Sequence, residues 1–278
     1  MSSFVPYKIG DGSSSIVYRS SPNQAVKCAR AGQSHEIEHE RKVLERLGEH
    51  PAIIQSFGKQ HEGEIILEYH RHNLQDILAS DDAIPRWEWA IQIAEGVAYL
   101  HSRGVIYRDL NPCNVLVTAT KDVVLCDFAA SSLDGNWVPE CGIDIRYCRP
   151  NDSGAVSPKD DLFALGSVLY GLFTHTTPYA EKEDGEVLAL YQSNIFPMVD
   201  HLPIGDIITK CWTGSYNSAT QLLYDLVSLF SLHFYRKANL LIRNKIACSV
   251  AGPLSDGLRG CLIISDSLSS NLLDIFLV

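Results

Sequence analysis

Two stretches of sequence decide the fold: YRDLNPCNVLV at residues 107–117 and VVLCDFA at residues 123–129. Each joins a short apolar run, typical of a buried strand, to a polar loop. The first loop carries Asp109 and Asn114, and the second carries Asp127. Two loops that each border an apolar strand and hold these residue types in this order are hard to obtain by chance.

A glycine-rich turn and a lysine lie upstream of these loops. In GDGSSSIV, residues 10–17, two glycines followed by small residues allow the backbone to approach phosphates closely. An apolar, strand-like run at residues 25–27 follows and ends in Lys27. The glycine turn, the strand lysine and the two polar loops, in this order, resemble the motifs of protein kinases. The resemblance covers residues 7–228.

The resemblance implies a role for each chemically important residue. As in the family, Asp109 would orient the acceptor hydroxyl and take its proton, while Asn114 and Asp127 would bind Mg²⁺ through oxygen atoms. Lys27 would contact the α- and β-phosphates of ATP, held in place by Glu40 on the following helix. The alternatives to Glu40 on that helix are Glu36, Glu38 and Glu45.

The nucleotide pocket is expected to form from the glycine turn, the sheet and a connector. Residues 66–70 resemble the family's hinge, whose backbone bonds the adenine, with Leu67 at the gatekeeper position. The residues expected to bind the nucleotide are Gly10, Gly12, Ser13, Val17, Ala25, Lys27, Leu67, Glu68, Tyr69, His70, Leu116 and Asp127.

The order of strand-like and helix-like segments predicts an α+β chain of two lobes, which is the fold that the resemblance implies. Short apolar runs separated by turns dominate up to about residue 69, interrupted by one helical pattern. Helical spacing of apolar residues dominates after about residue 74. The prediction is a small β-rich N-lobe at 1–69, a hinge at 68–73 and a mostly helical C-lobe at 74–228. Helices are predicted at 36–47, 87–101, 162–173, 207–212 and 221–230.

Composition narrows the class of protein further. The net charge of −10 argues against a nucleic-acid surface, because phosphate contacts need Lys and Arg. The sequence contains neither a run of apolar residues long enough for a membrane span nor a secretion signal, so a cytoplasmic or nuclear protein without membrane partners is expected. The 8 cysteines show no metal-like spacing and are expected to be free thiols. A monomer that acts on a protein substrate is expected.

Several positions depart from the family pattern. Asn111, counted among the catalytic residues, stands where Ser/Thr kinases carry a lysine, and Asp144 stands where they carry a threonine. Because those two side chains meet in the family, the sequence suggests an Asn111–Asp144 hydrogen bond. Ala129 replaces a glycine, which matters only if that residue needs a positive φ. Asn151 and Ala219 replace both partners of a buried ion pair, a smaller loss than removing one partner.

The activation segment and the C-terminus also differ from the family. Arg108 is typical of kinases whose activation segment is pinned by a phosphate, yet residues 133–147 contain no Ser or Thr. The hypothesis is that an acid such as Glu140 replaces the phosphate. Residues 229–278 match nothing in the resemblance. They are interpreted either as a poorly ordered or wrongly read gene end, or as a regulatory or docking tail.

The functional prediction is a Mg·ATP-dependent kinase that phosphorylates Ser or Thr hydroxyls of proteins. The alternative is a pseudokinase, an ATP-binding or scaffolding interaction module, which the substitutions at Asn111, Ala129 and Asn151 favour. A small-molecule phosphotransferase has less support, because Arg108 and the segment around Pro150 resemble protein kinases. Tyrosine specificity stays open, because tyrosine kinases also lack the loop lysine.

Overall fold

The computed structural model describes residues 4–80, 83–135, 144–150 and 155–250, with no side-chain description beyond residue 236. The N-terminal part contains an antiparallel sheet of 4 strands in the order β1-β2-β3-β4. One helix, α1, separates the last two strands along the chain. The bounds are β1 Tyr7–Asp11, β2 Ser15–Arg19, β3 Gln24–Ala29, α1 Ser34–Leu47 and β4 Glu64–Glu68.

The spacing of residues along α1 decides which side chains face the sheet. Ile37, Glu40, Val43, Leu44 and Leu47 are the buried residues of this helix, and they recur at three- and four-residue intervals. The carboxylate of Glu40 therefore shares the buried face with apolar side chains. A buried carboxylate needs a charged partner.

The C-terminal part is mostly helical and includes short strand pairs that carry the polar loops. Strand β7 pairs antiparallel with β5 and with β8, and β6 pairs with β9. The elements in chain order are β5 His72–Asn73, α2 Leu74–Leu78, α3 Arg86–Ser102, β6 Val105–Ile106, a 3₁₀ turn Pro112–Asn114, β7 Val115–Val117, β8 Val123–Leu125, β9 Ser132–Leu133, a 3₁₀ turn Ile145–Tyr147, α4 Pro158–Thr174, α5 Asp184–Gln192, α6 Gly205–Trp212 and α7 Ala219–Val250.

Helix α4 forms the centre of this helical part. Almost every residue from Asp161 to Phe173 is buried. Helix α6 packs so closely against it that a Cβ on Gly166 would lie 2.6 Å from the Cβ of Cys211. The indole Nε1 of Trp212 donates to the Ser167 hydroxyl at 3.0 Å, so the polar groups at this contact are paired. The core behind the polar loops is therefore closely packed.

The α+β architecture predicted from the sequence is confirmed. The predicted helices are all present, with ends that differ by a few residues, while α2 and α5 were not predicted. Helix α7 starts close to its predicted position but continues to Val250, past the predicted end of the domain at residue 228.

The chain divides into a compact unit, Met1–Leu232, and a second unit that begins at His233. In the second unit, the described residues 233–250 are helical, and residues 251–278 lie outside the described residues. Within the described part of the chain, no helix is both long and apolar enough to cross a membrane.

Candidate active site

A buried lysine joins three elements of the fold. The Nζ atom of Lys27 on β3 lies 2.6 Å from Oε2 of Glu40 on α1 and 2.8 Å from Oδ1 of Asp127, which follows β8. The other oxygen of Glu40, Oε1, accepts the backbone N–H of Phe128 at 3.1 Å. Burial alone would lower the pKa of Lys27, but the Asp127 and Glu40 carboxylates raise it above its usual value. The lysine therefore stays charged.

Two of the other glutamates considered for this role have different partners, and Glu36 is not on the buried face of the helix. Glu38 and Glu45 both form ion pairs with Arg41 on the exposed side of α1. Only Glu40, among the described glutamates of this helix, lies on the buried face. The helical spacing thus places Glu40 against Lys27.

The carboxylate of Asp109 is held by two amides. Asn111 Nδ2 donates to Oδ1 at 3.0 Å, and Asn114 Nδ2 donates to Oδ2 at 2.8 Å. Burial, followed by the nearby charge of Asp127, raises the pKa of Asp109 to about 6, while the two amides oppose this rise. A carboxylate with a pKa in this range can take a proton near neutral pH and release it again.

The prediction of a hydrogen bond between Asn111 and Asp144 is wrong. The amide nitrogen of Asn111 is used on Asp109, and its Oδ1 accepts the backbone N–H of Cys113 at 2.9 Å. Asp144 instead accepts the backbone N–H of Arg146 at 2.9 Å. Both side chains cap the 3₁₀ turn that follows them, a local bond that short polar side chains make readily.

A buried aspartate at the start of α4 fixes the loop that carries Asp109. Asp161 accepts the backbone N–H groups of Tyr107 at 2.8 Å and Arg108 at 2.7 Å. Nε2 of His101 on α3 lies 2.8 Å from the same carboxylate. Arg108 has a φ of 68°, a left-handed backbone conformation that costs residues other than glycine about 1–3 kcal/mol. The bonds to Asp161 supply the restraint that keeps this turn in place.

Tyr107 ties the two polar loops together, a role that the sequence analysis missed. Its hydroxyl donates to the carbonyl of Cys126 and lies 3.4 Å from the carbonyl of Asn114. Its ring packs against Phe128, with centroids 5.1 Å apart. Asn114 is one candidate metal ligand, and Cys126 directly precedes the other, Asp127. The only sequence signal was an aromatic residue directly before Arg108.

The glycine turn connects β1 to β2, and an arginine outside it holds it in place. Gly12 N–H donates to the Ser15 carbonyl at 2.9 Å, and Arg30 Nε donates to the Gly12 carbonyl at 2.9 Å. Arg30 also forms an ion pair with Asp11. Ser13 is exposed at the tip of the turn. Arg30 was not among the predicted residues, because nothing in its neighbourhood marks it as a partner of the turn.

Strand register brings the expected nucleotide residues to one face of the sheet. Val17 is opposite Lys27, and Ala25 is opposite Leu67. Residues opposite each other share a face, as do residues two apart on one strand, so these four side chains lie on the same face. A Cβ on Gly10 would lie 3.3 Å from Cβ of Val17, so glycine keeps this face open.

The connector between the sheet and the helical part borders this face. The Glu68 and Tyr69 N–H groups donate to the carbonyls of Gln55 at 2.9 Å and Asn23 at 3.0 Å. His70 is largely buried, with Nε2 3.3 Å from Oε2 of Glu68. Pairing of β7 with β5 places Leu116 opposite Asn73, at the end of the connector.

The chemistry of these groups fits a magnesium nucleotide. Because Asn114 uses its amide nitrogen on Asp109, its Oδ1 is the atom left for a metal. Asp127 adds a carboxylate whose side chain is 43% exposed. The described residues contain no cluster of three or more His, Cys, Asp or Glu that could hold an ion. Mg²⁺ that binds together with a nucleotide needs only one or two protein carboxylates, because the phosphates supply further oxygens.

The metal loop accommodates alanine without backbone strain. Asp127 has a φ of 58°, whereas Ala129 is not among the described residues with positive φ. A positive φ is the condition that would make alanine costly at this position, and Ala129 does not have one.

The end of the activation segment is anchored by two arginines. Arg149 Nε donates to Oδ1 of Asp160 at 2.6 Å, next to the buried Asp161. Arg146 pairs with Asp184 at 2.6 Å. The residues suggested to replace a phosphate or to have lost an ion pair, Glu140 and Asn151, lie outside the described residues, while Ala219 is buried at the start of α7.

Comparison with known proteins finds a matching family over most of the chain. Residues 5–229 match the family described as protein kinase domain. Mitogen-activated protein kinase kinase kinase dlk-1 of Caenorhabditis elegans is 30% identical over 216 residues, covering 72% of this chain and 23% of the relative. Mitogen-activated protein kinase kinase kinase 13 of Homo sapiens is 32% identical over 191 residues, covering 65% and 19%. Serine/threonine-protein kinase RUNKEL of Arabidopsis thaliana is 28% identical over 208 residues, covering 68% and 15%. The chain thus spans less than a quarter of each of these relatives.

Proposed function

Because the chain belongs to the protein kinase family, we propose that it transfers the γ-phosphoryl group of Mg·ATP to Ser or Thr hydroxyls of proteins. One observation carries the proposal: Lys27, Glu40 and Asp127 form a single connected ion-pair group. In active kinases the strand lysine, the helix glutamate and the metal-binding aspartate must all be in place. The names of the relatives, which include serine/threonine-protein kinases, support a Ser or Thr acceptor.

In this proposal each residue has a distinct task. Bound Mg·ATP supplies the phosphoryl group and the metal that neutralises its charge. Lys27 would hold the α- and β-phosphates, and Asn114 and Asp127 would hold the metal through side-chain oxygen atoms. Asp109 orients the acceptor hydroxyl and accepts its proton as the oxygen bonds to phosphorus and the bond to the leaving oxygen breaks. With a pKa of about 6, Asp109 is mostly ionised at neutral pH and can act as this base.

The glycine turn and the sheet face contribute binding and orientation. The turn between β1 and β2 would approach the phosphates, and Arg30 limits its movement through Asp11 and the Gly12 carbonyl. The side chains of Val17, Ala25, Leu67 and Leu116 would enclose the adenine, which would form hydrogen bonds with the backbone groups of residues 68–70 that are not used on Gln55 and Asn23.

A pseudokinase is the second candidate, and the contacts of Asn111 favour it. In the absence of a loop lysine, no cation stands at position 111 to meet the γ-phosphate. The Asn111 amide also binds one oxygen of Asp109, and Asn114 binds the other. If these bonds persist when the substrate is present, the acceptor hydroxyl must compete with them for the base.

Phosphoryl transfer to a mixed protein substrate tests the proposal. The purified chain should transfer label from γ-labelled ATP in the presence of Mg²⁺, and analysis of the phosphoamino acids should give phosphoserine or phosphothreonine. Asp127→Asn should abolish the metal-supported transfer. Tight binding of Mg·ATP without any transfer would support the pseudokinase, and near-normal transfer by Asp127→Asn would refute the assignment of this residue.

A further inference from the structure

A large groove lies between α1, the segment that follows it, α3 and the turn that joins β7 to β8. It has a volume of about 1230 Å³ and is named here the α1–α3 groove. Its walls include Glu45 of α1, residues 48–56, Glu95 of α3 and Thr118 of the turn. Pockets for small molecules usually enclose about 300–1,000 Å³, so this groove has room for a segment of another protein chain.

The groove lies apart from the face that would hold the nucleotide. Of the described residues expected to bind ATP, only Glu68 lines it. Neighbouring residues on a strand point to opposite faces, so Glu68 points away from the face that carries Leu67. The described lining does not include Lys27, Asp109 or Asp127. The groove therefore belongs neither to the proposed nucleotide site nor to the catalytic loop.

The charged side chains on the walls are almost all acidic. The described lining contains five carboxylates, one arginine and no lysine. Lys121, which belongs to the same turn as Thr118, is not part of that lining. The carboxylates are those of Glu45, Glu49, Glu68, Glu95 and Asp122.

The basic residues of the described lining do not offset this charge. The guanidinium of Arg41 is shared between two carboxylates, because Nε donates to Glu38 at 3.0 Å and Nη1 pairs with Glu45. The Nδ1 atom of His50 accepts the backbone N–H of Ala52 at 3.2 Å, which a doubly protonated ring cannot do. His50 is therefore neutral, and the walls keep a surplus of negative charge.

Two of the carboxylates are accessible to a ligand. Glu49 and Glu95 are exposed, and neither side chain forms a hydrogen bond or ion pair with the described part of the chain. The same groove presents apolar surface at Pro51, which is exposed, and at Leu223, which is half-buried. One exposed carboxylate is ordinary on a protein surface. Two unpaired carboxylates in a groove with apolar surface fit a ligand that carries both cationic and apolar groups.

We propose that the α1–α3 groove binds a segment of a partner protein in which arginine or lysine residues are interspersed with apolar residues. The cationic side chains pair with Glu49 and Glu95, and the apolar side chains pack against Pro51 and Leu223. An acidic segment would meet like charge here. The net charge of −10 disfavours a second copy of this chain as the occupant, because two such copies repel each other.

Three short fluorescent peptides test the proposal by their binding to the full chain. In the first, arginine alternates with leucine; in the second, glutamate replaces arginine; in the third, serine replaces leucine. Fluorescence anisotropy should show that the first binds at least about tenfold more tightly than either of the others. The second loses the ion pairs with the groove, and the third loses the burial of leucine.

Two double variants with the same change in net charge locate the binding site. Glu49→Gln with Glu95→Gln removes both unpaired charges from the groove and should weaken binding of the first peptide by about fivefold. Glu181→Gln with Glu186→Gln removes two exposed charges outside the described lining and should weaken it by less than about twofold. All four side chains are exposed, so the melting temperature should stay close to wild type.

Equal weakening by the two double variants would overturn the proposal, because it would mean that net charge alone attracts the peptide. Equal binding of the arginine and glutamate peptides, or of the leucine and serine peptides, would also overturn it. Sedimentation of the wild-type chain tests the other occupant: a dimer that the groove variant loses would assign the groove to a second copy and contradict the proposal.

The binding measurement needs no phosphoryl transfer, so it is independent of the proposed function. A chain that transfers no phosphate but binds the first peptide through Glu49 and Glu95 would refute the proposed function and sustain the groove assignment.

Discussion

At the scale of single residues, the environment of Asp109 determines how it can act. Burial and the charge of Asp127 raise the pKa of Asp109 to about 6, although the hydrogen bonds from the amides of Asn111 and Asn114 oppose this rise. The base is effective only when it is ionised. The value of kcat/KM should therefore fall as the pH drops through about 6.

Removing one of the two amides should shift the acid limb of the pH profile, the pH range over which kcat/KM falls, in a defined direction. Asn111→Ala removes a hydrogen bond that stabilises the ionised carboxylate, so the pKa of Asp109 should rise and the limb should shift to higher pH. The pH profile of kcat/KM measures this shift. Asn217→Ala, a change at an exposed asparagine far along the chain, is the control. A shift to lower pH would contradict the account.

Ala129 provides a second test at this scale. Because Ala129 is not among the described residues with positive φ, restoring the family's glycine relieves no strain. Ala129→Gly should leave kcat unchanged and lower stability by about 0.4–1 kcal/mol, since glycine gains more freedom on unfolding. Denaturant unfolding and steady-state kinetics measure the two effects. A large gain in kcat would show that Ala129 restrains the metal loop.

At the scale of elements, helix α1 acts by presenting one carboxylate to the sheet. Glu40→Gln keeps the shape of the side chain but removes the charge that faces Lys27 at 2.6 Å. Hydrogen bonds to charged groups contribute about 1.5–3 kcal/mol, so KM for ATP should rise at least about tenfold. Nucleotide titration and steady-state kinetics provide the measurement.

The same helix supplies the matched control. Glu45→Gln removes a charge whose side chain is 60% exposed and paired with Arg41. Exposed ion pairs contribute little, so both KM for ATP and the melting temperature should stay close to wild type. Equal effects of the two substitutions would mean that α1 does not position Lys27.

The elements also show how far the sequence could predict the fold. Helices α3 and α4 were predicted because each carries many apolar residues at helical spacing, and both are buried. Helix α5, with only Val187 and Tyr191 buried, offers too short an apolar pattern. Helix α2 is 5 residues long and is defined by a capping box. Such elements depend on tertiary contacts that no local pattern reports.

The candidate site could be predicted in part for a related reason. Residues such as Lys27 and Asp127 stand in motifs with a fixed order, so the resemblance identified them. Arg30 and His101 lie outside the quoted motifs, and Tyr107 stands in one without an assigned role, so their contacts become visible only when the chain is folded. The contact of Asn111 was predicted wrongly because its bonds to Asp109 and Cys113 are local.

At the scale of the whole molecule, the compact unit extends beyond the predicted domain end at residue 228. The unit ends at Leu232, and within it Phe230 packs against Trp87 with ring centroids 6.0 Å apart. A chain cut after residue 228 loses this aromatic contact, whereas one cut after residue 232 keeps it. The shorter chain should melt at a temperature lower by about 2–4 °C for each kcal/mol lost.

Thermal unfolding of the two shortened chains beside the full chain provides the measurement. The chain of residues 1–232 should unfold at a higher temperature than the chain of residues 1–228, because it keeps the contact of Phe230 with Trp87. Equal melting temperatures for the two shortened chains would show that Phe230 contributes nothing to the core.

The central claim, that Asp109 is the base of an active kinase, is tested most directly by comparing the full chain with Asp109→Asn. Phosphoryl transfer from Mg·ATP and binding of Mg·ATP are measured for both. General-base catalysis contributes about 10²–10⁴-fold, so transfer should fall by at least about a hundredfold in the variant while nucleotide binding is retained. Transfer by the variant at the wild-type rate, or absence of transfer by the wild-type chain with intact nucleotide binding, would contradict the claim.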